Sequence, residues 1–362
     1  MSTNHRITFV LNGLGLGNST RCHAIIQRLH AAGARIEIVT SGNGLWYFEN
    51  RPEIARIHAV TPIQYGKKNG QISIFRTFAA AGTLLATLKR NKQVLRDALV
   101  SGNPDVVVSD SEYSIGVAKS QGIPVVALNN SDVVYHSFWR FPDRPKSIYP
   151  QFLGIECPDF LFHRLVADVV ISPTLDPSVP QPGGKFRRVG PIVRLGYDPK
   201  PIEGPARRVA IMLSGSVFGS PVRLRDTHPS VRIDIIGRPK PEGSIDCDGV
   251  TFHGKIIDTR PLLAEADLAI INGGFSAVSE MFSMRKPMVV VPVPRHGEQW
   301  INARTIAHLG VGMMAEEESM ERAMTAALNR IDDFRAAFRA LPPIPDGAAE
   351  AAAIILEVAR GQ

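Results

Sequence analysis

The sequence predicts an α/β protein with two Rossmann-like domains that face each other across a cleft. In both halves, short apolar strands alternate with helical stretches, which is the pattern of a parallel sheet. In both halves, the first strand also runs into a loop rich in glycine or serine, and loops at the carboxyl ends of such strands bind ligands. The 362 residues suit two domains of about 150 to 200 residues each.

The strands of the N-terminal half are short apolar runs bounded by polar residues or glycine. They are predicted at residues 7–11, 35–40, 105–109, 124–128 and 167–172, the last of which closes the half-sheet. The helical stretches lie between them, at about residues 19–32, 72–99 and 113–121.

Proline and glycine become frequent at residues 190–205, and the interdomain linker is predicted there. The strand pattern then restarts, with strands at residues 208–213, 231–236, 250–252, 268–271 and 288–291. Helices are predicted from about residue 276, after residue 299 and over the alanine-rich stretch 347–360.

Composition narrows the class of protein. The 41 basic and 34 acidic residues give a net charge of +7, which favours anionic partners, but no dense basic run indicates nucleic acid. The three cysteines lie far apart, as reduced thiols in a cytoplasmic protein do. We expect neither a signal peptide nor a membrane span. Residues 72–99 and 135–162 combine basic and apolar side chains, so the two stretches could bind the inner face of a membrane. The alternative is that the first is a core helix and the second an active-site loop.

The most informative stretch covers residues 270–310. Gly273 and Gly274 follow a strand and leave backbone N–H groups bare at a helix N-terminus, whose partial positive charge attracts phosphate. Glu280 lies one turn after Ser276 on the same helix face, where a carboxylate can accept hydrogen bonds from the two hydroxyls of a ribose. Two amides three residues apart on the next helix, Gln299 and Asn302, can reach the same crevice. The stretch therefore predicts a site for a nucleotide that carries another polar group.

This stretch resembles the donor-binding half of GT-B glycosyltransferases, especially the group around the peptidoglycan N-acetylglucosaminyltransferase and the UDP-glycosyltransferases. Those enzymes place a glycine-rich turn, a helix Glu, a late Asp/Glu-Gln and an Asn-Ala pair in this order, here Gly273-Gly274, Glu280, Glu298-Gln299 and Asn302-Ala303. The resemblance implies that Glu280 holds the ribose and that Glu298 and Gln299 contact the transferred sugar.

The resemblance also implies a domain plan. Residues 1–193 would form an acceptor-side domain and residues 194–345 a domain that binds the nucleotide sugar. Residues 346–362 would form a terminal helix that crosses back to the N-terminal domain, as in other GT-B proteins.

Further donor contacts are implied by weaker matches. Arg194 ends the stretch Gly190-Pro191-Ile192-Val193-Arg194, which resembles the Gly-x-Pro-x-Arg turn of the peptidoglycan enzyme. It could offer a fork of donors to a diphosphate, although an ordinary linker arginine is the alternative. The small-residue loop Ser214-Gly215-Ser216 could approach phosphate, or be a plain turn. At Ile256, in the turn after the strand at 250–252, the backbone would meet the base.

The first glycine loop, from Gly13 to Arg21, allows two interpretations. Its glycines suit a dinucleotide fingerprint, but the spacing is G-x-G-x-G and no acidic residue ends the second strand, so an NAD site is disfavoured. The glycosyltransferases use this loop on the acceptor side, which implies that Gly15, Gly17, Asn18 and Arg21 line the acceptor. In that family a histidine follows the last glycine, and Asn18 stands here instead. An amide cannot accept a proton at neutral pH.

Asp110 is therefore the first candidate for the base that takes the acceptor proton. It ends a strand at the carboxyl edge of the predicted sheet, where ligands bind. The alternative is that Asp110 caps the following helix. His23 and His136 are weaker candidates.

The resemblance implies an inverting transfer of a hexosyl or N-acetylhexosaminyl unit from a nucleotide sugar, with UDP as the favoured nucleotide. The glycine-capped helix terminus, with Arg194 and Ser216, would stabilise the leaving diphosphate without a metal. We expect no cofactor and no metal site, because neither an Asp-x-Asp beside a polar cluster nor a paired-histidine helix occurs. The acceptor, a lipid-linked sugar, a lipid or a small molecule, stays undetermined. The alternatives are a nucleotide-sugar epimerase or hydrolase on the same fold, or a non-catalytic nucleotide-sugar binder.

Overall fold

The computed structural model describes residues 5–62, 67–68, 71–72, 81–194, 203–213, 231–238, 240, 249–254, 256 and 258–361, with side chains for all except 67–68, 71–72 and 81–85. The chain forms two compact units. The N-terminal unit contains Met1–Tyr135, Cys157–Leu195 and Pro345–Gln362. The C-terminal unit contains His136–Glu156 and Gly196–Ile344, so a short segment from the first half of the sequence belongs to it.

Strands and helices alternate along the described residues. The strands are β1 (Arg6–Leu11), β2 (Arg35–Thr40), β3 (Ile54–Ala59), β4 (Lys67–Lys68), β5 (Gln71–Ile72), β6 (Val106–Asp110), β7 (Val125–Leu128), β8 (Val169–Pro173), β9 (Phe186–Val189), β10 (Arg208–Met212), β11 (Arg232–Ile236), β12 (Val250–Gly254), β13 (Leu268–Asn272), β14 (Met288–Val291) and β15 (Gly312–Met314). The α-helices are α1 (Leu16–Ala31), α2 (Gly42–Phe48), α3 (Ala81–Gly102), α4 (Gly116–Ser120), α5 (Ser131–Arg140), α6 (Tyr149–Gln151), α7 (Cys157–Val166), α8 (Arg260–Glu265), α9 (Phe275–Ser283), α10 (Gly297–His308), α11 (Met320–Asn329), α12 (Ile331–Ala340) and α13 (Gly347–Ala359). A π-helical turn covers Phe152–Glu156, and short 3₁₀ turns cover Lys146–Ile148 and Glu317–Ser319.

The N-terminal unit is built on a parallel sheet with the strand order β3-β2-β1-β6-β7-β8-β9. Its central strands are buried along their whole length because helices cover both faces, which explains their unbroken apolar runs. The strand order reverses between β1 and β6, and the register aligns Leu11 with Asp110. The loops after these two strands therefore start side by side, at the position where open α/β sheets bind ligands.

The C-terminal helix α13 packs on α1 in this unit. Ala351 and Ile355 of α13 join the same buried cluster as Ile25 and Leu29 of α1. At the start of α13, the Asp346 carboxylate caps the helix by accepting from the backbone N–H groups of residues 348 and 349. The last segment of the chain thus completes the core of the N-terminal unit.

The C-terminal unit has a second parallel sheet with the strand order β12-β11-β10-β13-β14-β15. The order reverses between β10 and β13, so the loop after β13 lies at the switch point of this sheet. Strands β13 and β14 end together, with Asn272 aligned to Val291.

The predicted α/β class with two parallel sheets is confirmed. Five of the described strands escaped prediction: β3, β4, β5, β9 and β15. β4 and β5 form a separate two-stranded antiparallel sheet, and the other three lie at the edges of the parallel sheets. In β3 and β9 polar residues interrupt the apolar run, and β15 is only three residues long. The expectation that residues 167–172 close the first half-sheet is wrong, because β9 pairs outside β8. Among the described residues, none of the helices is long and apolar enough to cross a membrane.

Candidate functional site

The glycine turn of the C-terminal unit ends β13 and starts α9. Gly274 is the N-cap of α9, so the first backbone N–H groups of this helix lie at the carboxyl edge of the sheet. Asn272 Nδ2 donates to the Val291 carbonyl at 3.0 Å, which ties the ends of β13 and β14 together. A helix N-terminus held in this way is a ready anion-binding group.

The two glycines have different roles. A Cβ atom on Gly273 would lie 2.5 Å from the Gln299 carbonyl oxygen, so only glycine fits there. Asn302 Nδ2 donates to the Gly273 carbonyl oxygen at 2.9 Å. At Gly274, by contrast, no heavy atom of the described chain lies within 4 Å of an added Cβ. The structure therefore brings together Gly273, Gln299 and Asn302, and leaves space over Gly274.

Helix α9 carries the other two predicted donor residues. Ser276 lies in its first turn, and Glu280 lies one turn further along. Glu280 is 8% exposed, so its carboxylate is largely enclosed by protein.

The loop between β14 and α10 is fixed by side-chain to backbone bonds. The Val293 N–H donates to Gln299 Oε1 at 3.0 Å, which fixes the orientation of this amide. The Gly297 N–H donates to Gln151 Oε1 at 2.8 Å. Glu298 lies in the first turn of α10, and its carboxylate falls within 4.8 Å of ligand atoms of His296 and Glu156. No spacing signal predicted this cluster, because Glu156 lies 140 residues before His296.

The remaining predicted donor residues do not belong to the glycine turn, α9 or α10, and some of them lie outside the described residues. Arg194 belongs to the N-terminal unit. Ile256 is half-buried and follows Gly254, whose φ of 62° is left-handed. Residues 214–216 of the small-residue loop lie outside the described residues.

The acceptor-side loop is shorter than predicted. Helix α1 begins at Leu16 and not near residue 19, with exposed Gly15 as its N-cap. Gly17, Asn18 and Arg21 therefore lie on the helix. Asn18 Nδ2 donates to the Asn12 carbonyl at 3.5 Å, so it faces the end of β1.

The carboxylate of Asp110 is enclosed in an ion pair. Asp110 is 0% exposed, and Arg21 Nε donates to its Oδ2 at 2.9 Å, while a second guanidinium nitrogen donates to its Oδ1. Cys22 Sγ approaches Oδ2 at 3.3 Å; burial first, and then the Asp110 charge, raise the pKa of this thiol. A buried carboxylate that accepts from a guanidinium is poorly placed to take a proton from an acceptor hydroxyl. The geometry favours a structural role, in which Asp110 pins α1 to β6. The helix-cap alternative is wrong, because α4 begins only at Gly116 and its N-cap is Ile115.

The histidine candidates are also constrained. His23 is 3% exposed, and its Nδ1 lies 3.0 Å from the Tyr47 hydroxyl, while its Nε2 lies 3.4 Å from Glu53 Oε1. Burial, with a smaller effect of positive charges that include Arg194, lowers the pKa of His23 to about 4. His136 is half-buried and belongs to the C-terminal unit.

Sequence reasoning missed a polar network at the carboxyl edge of the N-terminal sheet. The Tyr113 hydroxyl donates to Asp159 Oδ1 at 2.9 Å, and Asn129 Nδ2 donates to Asp159 Oδ2 at 2.7 Å. Burial raises the pKa of Asp159, but hydrogen bonds from His163, Asn129 and Tyr113 outweigh it and lower the pKa. Tyr113 and Asn129 follow the ends of β6 and β7, so the strand pattern could have indicated both. Asp159 lies on α7, and no local pattern relates it to these strand ends.

Comparison with known proteins adds family information. Residues 5–146 match the family described as Glycosyl transferase family 1, and residues 241–341 match the Glycosyltransferase family 28 C-terminal domain. An uncharacterized glycosyltransferase of Methanosarcina mazei is 27% identical over 343 residues, which cover 85% of each chain. The UDP-N-acetylglucosamine–N-acetylmuramyl-(pentapeptide) pyrophosphoryl-undecaprenol N-acetylglucosamine transferase of Clostridium novyi is 22% identical and covers 89% of this chain and 88% of its own. The crystal structure of Acinetobacter baumannii MurG has the same fold, with a TM-score of 0.62 at 17% identity over 97% of this chain and 99% of that one.

Proposed function

We propose that this chain, a GT-B-fold glycosyltransferase that resembles the peptidoglycan N-acetylglucosaminyltransferase and UDP-glycosyltransferase group, transfers a hexosyl or N-acetylhexosaminyl unit from a UDP-sugar to an acceptor hydroxyl. The observation that carries the proposal is the glycine turn before α9. There, packing against Gln299 explains Gly273, but no packing explains Gly274. A glycine that protein contacts do not require suits close approach of a ligand to the backbone.

The donor is proposed to bind with its diphosphate at the N-terminus of α9. Backbone N–H groups after Gly274 would then stabilise the charge that develops on the leaving diphosphate, and no metal is needed for this step. Glu280 would accept from the ribose hydroxyls, and the NH₂ group of Gln299 would donate to the transferred sugar. Glu298, Arg194 and Ser216 remain proposed contacts of the sugar and diphosphate.

Transfer would proceed with inversion, the acceptor hydroxyl attacking the anomeric carbon from the face opposite the diphosphate. The name of the Clostridium novyi relative specifies an acceptor linked to pyrophosphoryl-undecaprenol. A lipid-linked sugar is therefore the first acceptor class to test, before other lipids and small molecules, and contact with a membrane surface belongs to the same proposal.

A second candidate, a nucleotide-sugar epimerase or hydrolase, is favoured by one observation. Asn18 stands where the family has a histidine, and the Asp110 carboxylate is enclosed by Arg21. An epimerase acts on the sugar nucleotide itself and deprotonates no acceptor alcohol, so the observation favours it most; a hydrolase would still have to deprotonate water, with a base at another position.

One experiment separates these functions. The protein is incubated with a panel of UDP-sugars, with and without lipid-linked and small hydroxyl acceptors, and the products are analysed by mass spectrometry and by NMR, which distinguishes epimers of equal mass. Transfer to an acceptor supports the proposal. Free sugar and UDP in all conditions indicate a hydrolase, and a new sugar nucleotide indicates an epimerase. Binding without any turnover fits either a nucleotide-sugar binder or a transferase whose acceptor is not in the panel.

The ribose assignment has its own test. Glu280→Ala removes the carboxylate and with it a charge-assisted hydrogen bond to the ribose. The dissociation constant for UDP should therefore rise about tenfold or more. Isothermal titration with UDP and with uridine measures this effect. Unchanged affinity in a correctly folded variant would remove Glu280 from the site.

A further inference from the structure

We propose that Glu156, His296 and Glu298 bind a divalent transition-metal cation in the C-terminal unit. One ligand atom from each side chain lies within 4.8 Å of the other two. Around zinc, ligand atoms at about 2.1 Å from the metal lie about 3.4 Å apart, so binding requires movements of at most about 1.5 Å. Side-chain rotation alone can supply movements of this size.

The cluster lies in a partly buried setting. Glu156 is 8% exposed, while His296 and Glu298 are half-buried. His296 Nδ1 is itself buried and has no hydrogen-bond partner among the described residues. A buried ring nitrogen without a partner is costly, and a metal ion can bind its lone pair, as a hydrogen-bond donor can.

The position of Glu156 is set by groups around the cluster. Gln151 Nε2 donates to Glu156 Oε1 at 2.6 Å, and Gln151 Oε1 accepts from the Gly297 N–H at 2.8 Å. One amide thus orients a carboxylate and anchors it to the backbone between His296 and Glu298. Outer hydrogen bonds of this kind orient the ligands of metal sites.

The local backbone supports the same inference. Glu156 ends the π-helical turn Phe152–Glu156, and π-turns are rare and frequently occur at functional sites. A Cβ atom on Gly297 would lie 2.6 Å from Gln151 Oε1, so a larger residue there would displace the Gln151 amide from the loop.

Charge points to a cation as the ligand. Two carboxylates held this close repel each other, and the repulsion grows as water is excluded. A divalent cation removes that repulsion. Imidazole nitrogen with carboxylate oxygen suits zinc or manganese better than magnesium or calcium, which prefer oxygen ligands alone.

The cation would fix the start of α10 and not touch the diphosphate. Glu298 would bind the cation through one carboxylate oxygen, which leaves its other oxygen for the proposed sugar contact. It joins the residue before α10 and the first turn of α10 to the segment His136–Glu156 of the same unit. The metal-free role proposed for the glycine turn at α9 is therefore unaffected.

The test uses the cation alone, so its outcome does not depend on the proposed transfer reaction. Untagged full-length protein is stripped with a chelator, dialysed and titrated calorimetrically with ZnCl₂ and MnCl₂. We expect one cation per chain. Glu156→Gln and His296→Asn should each weaken binding by more than about 100-fold, and Gln151→Ala, which removes an outer contact, by about tenfold. The exposed Glu318→Gln is the matched control and should bind as the wild type does.

A second measurement guards against variants that fold poorly. Cation addition should raise the thermal midpoint of the wild type and of Glu318→Gln, but not that of Glu156→Gln, since a ligand stabilises only the state that binds it. The proposal is overturned if the wild type binds neither cation. It is equally overturned if Glu156→Gln and His296→Asn, with thermal midpoints equal to the metal-free wild type, bind the cations undiminished.

Discussion

Two buried side chains show how strongly burial controls ionisation at the scale of single residues. His23 is 3% exposed and Lys286 is 4% exposed. Burial is the main cause in both cases, lowering the pKa of His23 to about 4 and that of Lys286 to about 8. Both shifts disfavour the protonated form in the folded protein, so both groups make stability depend on pH.

Replacing Lys286 by Met should stabilise the protein at pH 7. The pKa of this lysine falls from 10.5 in the unfolded chain to about 8 in the folded one. Below pH 8 both states are protonated, and the folded state bears a penalty of about 3 kcal/mol. Lys286→Met should therefore raise the free energy of unfolding by about 1–3 kcal/mol at pH 7. The gain should largely vanish near pH 10, where the folded lysine is neutral.

Urea denaturation at both pH values measures this effect, with the exposed Lys146→Met as a control. A gain that is equal at pH 7 and pH 10 would show that burial of the charge is not its cause.

Asp110→Asn should act on stability more than on chemistry. The substitution leaves the Arg21 guanidinium buried without its countercharge, which costs about 3–5 kcal/mol. Denaturation in urea measures the loss. Turnover per folded molecule with a competent acceptor should be close to that of the wild type, and a loss of turnover beyond about 100-fold in folded protein would restore Asp110 as the base.

At the scale of secondary-structure elements, helix α10 depends on a distant segment of the chain. The ring of Phe141 contacts that of Trp300 edge-on at 6.1 Å, and Asp143 pairs with Arg304 at 2.9 Å. Phe138 and Phe152 stack within the segment at 3.5 Å and form its own small core. These contacts explain why residues 136–156 belong to the C-terminal unit, although strands β8 and β9 of the N-terminal sheet follow them in the chain.

The start of helix α9 yields a matched pair of substitutions. Gly274 and Gly15 are both N-cap residues with negative φ and space around an added Cβ. Gly274→Ala should fold normally but raise the dissociation constant for UDP about tenfold or more, because the methyl group occupies the proposed phosphate position. Gly15→Ala should leave UDP binding unchanged. Titration calorimetry compares the two, and equal UDP affinities would exclude the turn before α9 as the diphosphate site.

At the scale of the whole molecule, the largest buried cluster described in each unit is separate from that of the other unit. One combines β1, β2, α1 and α13, and includes Ile25 and Ile355. The other combines the strands of the second sheet with α11 and α12, and includes Ile270 and Phe334. Each unit buries its own apolar residues, so each can respond to a ligand separately.

Thermal unfolding should therefore distinguish the units. UDP at about 100 times its dissociation constant should stabilise the C-terminal unit by about 2.7 kcal/mol and raise its transition. Ile355→Ala should lower the other transition, because the lost side chain leaves a cavity worth about 2–5 kcal/mol. Scanning calorimetry of both proteins, with and without UDP, identifies the transitions. If UDP raises the transition that Ile355→Ala lowers, the nucleotide binds the N-terminal unit, which contradicts the proposed donor site.

The sequence by itself determined the α/β class, the central strands and the glycine turn before α9, because apolar runs and turn residues act over a few neighbouring positions. It also grouped Gly273, Gln299 and Asn302, which lie in contact in the structure, while their role in donor binding stays a prediction. Only the tertiary structure decided that Asp110 pairs with Arg21 and that Glu156 meets His296. Edge strands and charge pairs depend on which distant segments the fold brings together, and a pattern over a few neighbouring residues does not contain that information.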